Sequence, residues 1–96
     1  MEGVLWYLLA STRGSANRVR IVRALDERPR NANQLATALD LDYKTVQHHL
    51  EVLVENNVLR RTDDDYAAVY LFTEQLQDHW DLLEEVLETV DPGEGA

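Results

Sequence analysis

The sequence predicts a mainly α fold that carries one small β-hairpin. Apolar residues recur at steps of three and four over most of the chain, the signature of helices with one buried face. Between positions 58 and 73 that period gives way to β-branched and aromatic residues on either side of three aspartates. Polar residues suited to capping, Ser15, Asn33, Asp42 and Thr73, stand where successive helical patterns begin.

The first element, at about 3–12, reads GVLWYLLAST and is apolar on all sides, so it suits a short helix buried over most of its circumference. A strand is open to it on composition, but the lack of polar alternation favours the helix. Gly14 breaks the pattern, and Ser15 is the expected N-cap of a helix running to about Glu27. In it Val19, Val22 and Leu25 share a face with Ile21 beside them, Arg18, Arg20 and Arg23 take other faces, and Pro29 ends it. Asn33 is expected to cap a short helix with Leu35, Ala36 and Leu39 on one side.

After a turn at Leu41 and Asp42, Asp42 caps a helix at about 43–57 whose Val46, Leu50 and Leu53 face the core. Asn56 and Asn57 suit the left-handed conformation that closes it. VLRRT and YAAVYLFT then form the hairpin, turning at Asp63, Asp64 and Asp65. Thr73 opens a last helix at 74–90, where Leu76, Trp80, Leu83, Leu87 and Val90 step by 4, 3, 4 and 3 as in a heptad seam. Ninety-six residues suit one domain, 1–90, and Pro92 with two glycines marks 91–96 as a disordered tail.

The net charge is -9, but it is unevenly spread. All nine basic residues lie between Arg13 and Arg61, where six acids oppose them, which leaves +3 there and -12 over the rest. One zone can therefore face a polyanion. Eight Arg to one Lys, with Asp and Glu on every exposed stretch, has the look of a halophilic archaeal protein. In about 1 M salt the screening length falls to about 3 Å, so net negative charge would hardly repel DNA at a distance.

Taken together, SANRVRIVRAL, NQLATALDLDYKTVQHHLEVLVENNVLRR and the hairpin ending VYLFT resemble the winged helix-turn-helix of ArsR-type transcriptional regulators. The shared features are an early Arg, an I-V-x-x-L pattern, a T-V-x-x-H-L core and a V-L exit into the wing. The resemblance implies a reader unit at about 13–73 flanked by dimerisation helices at about 3–12 and 74–90. It also implies sequence-specific binding of double-stranded DNA by a homodimer, with helix 43–57 in the major groove.

The outward residues near the start of that helix are Tyr43, Lys44, Thr45, Gln47 and His48. Gln47 can read adenine, Lys44 can donate to guanine or phosphate, and Arg18, Arg60 and Arg61 are further phosphate candidates. The acidic wing tip, where the family usually has a Gly or basic turn, is expected to stay off the backbone. For the dimer interface the expected residues are Leu5, Trp6, Leu9, Leu76, Trp80, Leu83 and Leu87, because a bare heptad seam needs a partner. A competing reading is a winged-helix module that binds a protein of the transcription machinery and not DNA.

Other classes find no support. Absence of cysteine removes disulfides, thiolate chemistry and Cys-ligated metals, and no Gly-rich phosphate loop or catalytic constellation is present, so no enzyme and no cofactor are expected. His48 and His49 project about 100° apart and make poor co-ligands, and His79 lies among acids, so no metal site is expected. No small-molecule ligand is evident. The run Val4 to Ala10 is too short for a membrane span of about 20 residues, and a soluble, cytoplasmic protein is expected.

Overall fold

The computed structural model describes residues 1–62 and 68–90. Helix α1 spans Glu2–Trp6 and widens without interruption into a π turn, Tyr7–Ser11. The wide turn is supported by hydroxyls that reach back five residues: Ser11 Oγ donates to the Trp6 carbonyl at 3.2 Å and Thr12 Oγ1 to the Tyr7 carbonyl at 2.9 Å. Helix α2, Ser15–Glu27, begins on Gly14 and not on Ser15, whose expected capping role is a correction: Gly14 takes φ 86° as N-cap, and no side chain caps the helix. It ends before Pro29, with Arg28 extended as a residue preceding proline must be.

Helix α3, Ala32–Leu39, is capped two residues before the expected position. Asn31, not Asn33, caps it, because Gln34 lies three residues on and completes a reciprocal capping box: Asn31 Oδ1 accepts from Gln34 N at 2.7 Å and Gln34 Oε1 from Asn31 N at 2.9 Å. Asp40 closes α3 in the left-handed conformation, φ 55°. Helix α4, Tyr43–Glu55, is capped by Asp42 as its spacing implies, with one carboxylate oxygen accepting from Lys44 N and Thr45 N. Asn57, at φ 61°, reverses the chain, and Val58 N donates to Leu53 O at 3.0 Å.

Strands β1, Leu59–Arg61, and β2, Tyr70–Phe72, pair antiparallel with Leu59 opposite Phe72, Arg60 opposite Leu71 and Arg61 opposite Tyr70. Arg30 adds a bridge on the other side of Tyr70, so the wing is anchored to the segment before α3. Asp63, Asp64 and Asp65 at the expected turn, and the tail 91–96, lie outside the described residues.

The last helix is two. Thr73 caps α5, Glu74–Gln77, through its hydroxyl, and α6 spans Trp80–Val90. Between them His79 N turns tightly onto Leu76 O at 2.9 Å, which brings Trp80 edge-on against Phe72 of the wing at 5.1 Å.

A single core gathers the apolar faces of all these helices. Leu5 and Leu9 from the N-terminal helix meet Leu76, Leu83 and Leu87 from α5 and α6, all 6% exposed or less. This corrects the interface expected of those five leucines: the heptad seam finds its partner in the N-terminal helix of the same subunit. Trp6 and Trp80 are half-buried against that core. No described helix is long and apolar enough to cross a membrane.

Gly14 offers a direct check on the α2 start. A Cβ there would stand 2.8 Å from His49 Cε1 and adopt a left-handed φ, so Gly14→Ala is expected to cost about 1 to 2 kcal/mol, read as a lower urea midpoint. Ser15→Ala should leave that midpoint unchanged, and an equal loss from it would restore Ser15 as the cap.

Candidate nucleic-acid interface

Helix α4 has two faces with different tasks. Val46, Leu50 and Leu53 are fully buried, and that fixes which side is turned outward. Tyr43, Lys44, Gln47 and His48 are exposed near its start, Thr45 is half-buried, and Tyr43 Oη accepts from Gln47 Nε2 at 3.5 Å. The helix is anchored at the end that bears these residues, since Asp42 holds its first amides and the α3–α4 turn sets its angle.

Strand alternation sorts the two wing arginines. Leu59 and Arg61 share one face of β1 and Arg60 the other. Arg61 lies opposite Tyr70, and both residues line a groove with Gln47. On one side of these three the groove is polar, about 330 Å³ in volume, and reaches Asn31, Asn33 and Tyr43. On the other, about 410 Å³, it runs along α4 past Glu51, Val54 and Glu55. Along the groove, cationic and neutral donors line the part near the start of α4 and carboxylates its far end, while the Asp42 carboxylate is engaged by the first amides of the helix. Asn31, Asn33 and Tyr70 are groove residues that periodicity alone does not single out. The only signal available for Tyr70 was its cross-strand register with Arg61.

Arg18 is not on this surface. It is 5% exposed, and its guanidinium lies beneath the turn between the π segment and α2. Nε donates to Leu8 O at 2.7 Å, one terminal nitrogen to Thr12 Oγ1 and to Arg13 O at 3.3 Å, and the other approaches His49 Nδ1 at 3.3 Å. The expected phosphate role of Arg18 is therefore corrected: its donors are taken by the fold. Burial lowers its affinity for a proton from the ordinary arginine value, with Tyr7 opposing. Burial, then the charges of Arg18 and His48, hold His49 below the usual histidine range.

Three further arginines end on helix carbonyls. Arg20 donates to Leu39 O at 2.5 Å, Arg23 to Leu87 O at 3.3 Å, and Arg30 to Ala24 O and to Glu27 Oε1 at 3.1 Å. Each of those carbonyls lies in the last turn of a helix, where intrahelical donors run out; the Ala24 carbonyl receives only a long 3.5 Å bond from Arg28 N besides Arg30. The exposed basic residues are Arg13, Arg20, Arg28, Lys44, Arg60 and Arg61. His49 packs inward, and among the described residues no group of three or more His, Asp or Glu could hold a metal ion.

A helix-turn-helix followed by a two-stranded wing, with helices packed before and after it, is the architecture of a regulator-like winged-helix fold. The chain belongs to the HVO_A0261 N-terminal domain family, a haloarchaeal family whose model matches residues 8–91. It is also similar to the crystal structure of a probable transcriptional regulator from Pseudomonas aeruginosa. The identity is 16% and the TM-score 0.62, over 93% of this chain and 73% of that one, which is a likeness of fold. No curated protein matches the chain.

The distinction between structural and surface arginines is measurable. Arg18→Met leaves buried carbonyls without donors and is expected to cost about 3 kcal/mol in chemical unfolding. Arg60→Ala should leave the unfolding midpoint in place, and equal losses from the two would void the distinction.

Proposed function

We propose that the chain is a non-catalytic, sequence-specific double-stranded DNA-binding regulator that acts as a homodimer and lays α4 in the major groove. The observation that carries this reading is the groove in which Tyr43 and Gln47 of α4 meet Arg61 and Tyr70 of the wing. Gln47 matches the donor and acceptor pair of adenine, while Lys44 and Arg61 flank it as phosphate or guanine donors. The T-V-x-x-H-L core at 45–50 supports an ArsR-type assignment. Arg28, exposed beside Asn33 and Gln34 at the start of α3, takes the phosphate role for which Arg18 is not free, since the first helix of such a pair crosses the backbone.

Gln47→Ala is expected to relax preference at one base position per half-site, at a cost of about 1 to 3 kcal/mol. Lys44→Ala should weaken all sequences alike. Binding of genomic fragments at molar KCl, followed by anisotropy, tests both, and unchanged affinity in the two variants would refute the reader assignment.

The geometry of paired half-sites supports the homodimer reading. The subunit measures 35 × 28 × 22 Å and offers one reader helix, whereas paired half-sites lie about 34 Å apart. With the seam leucines buried, the surface left for a second copy is the outer face around Tyr7, 61% exposed, and Val90, 36% exposed. Beside Val90 an apolar cleft of about 560 Å³ runs along Ala10, Ala16 and Val19. Tyr7→Glu combined with Val90→Glu is expected to give folded monomers with weaker DNA binding. Light scattering that found the unaltered protein monomeric would overturn the dimer.

A further inference from the structure

His49 sits on the reader helix but points away from the groove, 6% exposed, into the turn that joins the N-terminal helix to α2. Its Nδ1 lies 3.3 Å from an Arg18 terminal nitrogen. Arginine can only donate, so Nδ1 must carry a lone pair and the ring proton of the neutral imidazole sits on Nε2. Gly14 closes over the ring so tightly that a Cβ there would come within 2.8 Å of Cε1. The same guanidinium holds Leu8 O, Thr12 Oγ1 and Arg13 O. One contact therefore joins α4 to α2, the π segment and the intervening loop.

The charged and titratable groups around it are Arg18 from α2, His48 from α4 itself and Tyr7 from the π segment. Arg13 of the loop contributes its carbonyl, and its side chain is exposed. Among the described residues no carboxylate hydrogen-bonds either partner of the joint.

We propose that Arg18 and His49 form a proton-gated positioning joint, in which neutral His49 latches the reader helix in its DNA-binding pose and protonation releases it. The inference rests on the DNA-binding reading given above. A proton on Nδ1 abolishes the acceptor and sets two cations 3.3 Å apart, with no carboxylate bonded to either among the described residues. The fold prefers the neutral ring. The linked stability is therefore fully present above the ordinary histidine value of about 6.5 and is lost as pH falls through the lowered folded value.

The test is the pH profile of binding to a fluorescent duplex selected from a random-sequence pool by the wild-type protein, from about pH 7.5 to about pH 5.5 at constant molar KCl. His49→Asn is the informative variant, since its Oδ1 replaces Nδ1 as acceptor and does not titrate. Wild-type affinity should fall more steeply than the variant's, and the loss should deepen toward the acid end of the range, because His49 takes its proton below the ordinary histidine value. Coincident profiles, with both proteins binding, would overturn the joint. Nitrogen-15 NMR of the wild-type histidine rings decides the matter without DNA or the variant. Nδ1 of His49 should be unprotonated at neutral pH, and amides of residues 7–18 and of α4 should shift together as it titrates. A protonated Nδ1, or titration of His49 without that response, overturns the joint. If selection yields no bound duplex, the DNA reading has failed, and the NMR result alone decides whether the joint exists.

Discussion

The Arg18 guanidinium is the constraint around which the other elements are arranged. A buried cation costs several kcal/mol unless its donors are satisfied, and here the compensation comes from a helix end and not from a carboxylate. The π turn leaves its last carbonyls without intrahelical donors, and the negative end of the helix dipole points at the same place. Arg18 meets the Leu8 carbonyl there, takes the Thr12 hydroxyl and the Arg13 carbonyl from the turn, and reaches His49 on α4. Gly14 is required by that arrangement twice over, for its left-handed φ and for the space a Cβ would remove.

The same device recurs on α2, α3 and α6, whose final turns receive Arg30, Arg20 and Arg23. In a chain of net charge -9 this use of arginine has a physical advantage. Exposed ion pairs weaken as salt rises, whereas a partly buried hydrogen bond to a helix-end carbonyl is screened much less. The clustering of basic residues between positions 13 and 61 therefore reflects helix termination first. Only part of that cluster remains free to meet a polyanion.

Most of the fold was legible because each helix carries its own punctuation. Asp42, Thr73, Pro29 and Asn57 act through local geometry that three or four residues determine, and the switch from helical to alternating period marked the wing. Asn31 is harder to pick out because Asn33 stands as an equally suitable cap directly before the apolar pattern, although the N-x-x-Q spacing of Asn31 and Gln34 is present. What periodicity cannot supply is which of two candidate partners covers an apolar stripe. Leu76, Leu83 and Leu87 required one, and whether it was a second subunit or the helix at the other end of the chain is a question of tertiary closure. Arg18 was misplaced for a related reason: its burial depends on a carbonyl ten residues away and on a histidine 31 residues away.

The candidate site inherits its polarity from these structural commitments. With Arg18 and Arg30 withdrawn into the fold, the cations left near the reader are Lys44 at the start of α4, Arg61 on the groove face of β1 and Arg28 beside α3. Glu51 and Glu55 occupy the far half of α4 and carry charge of the wrong sign for phosphate. A duplex laid along the whole length of the helix would meet those carboxylates, whereas one that receives only its first turns would not. The charge pattern thus selects, among docking poses, the one in which the helix enters the groove by its N-terminus. Under the DNA-binding function proposed above, Tyr43, Lys44 and Gln47 would be the residues to reach base edges. High salt leaves this choice intact, because screening over about 3 Å removes the distant repulsion of the acidic surface but not the contact repulsion between a carboxylate and a phosphate.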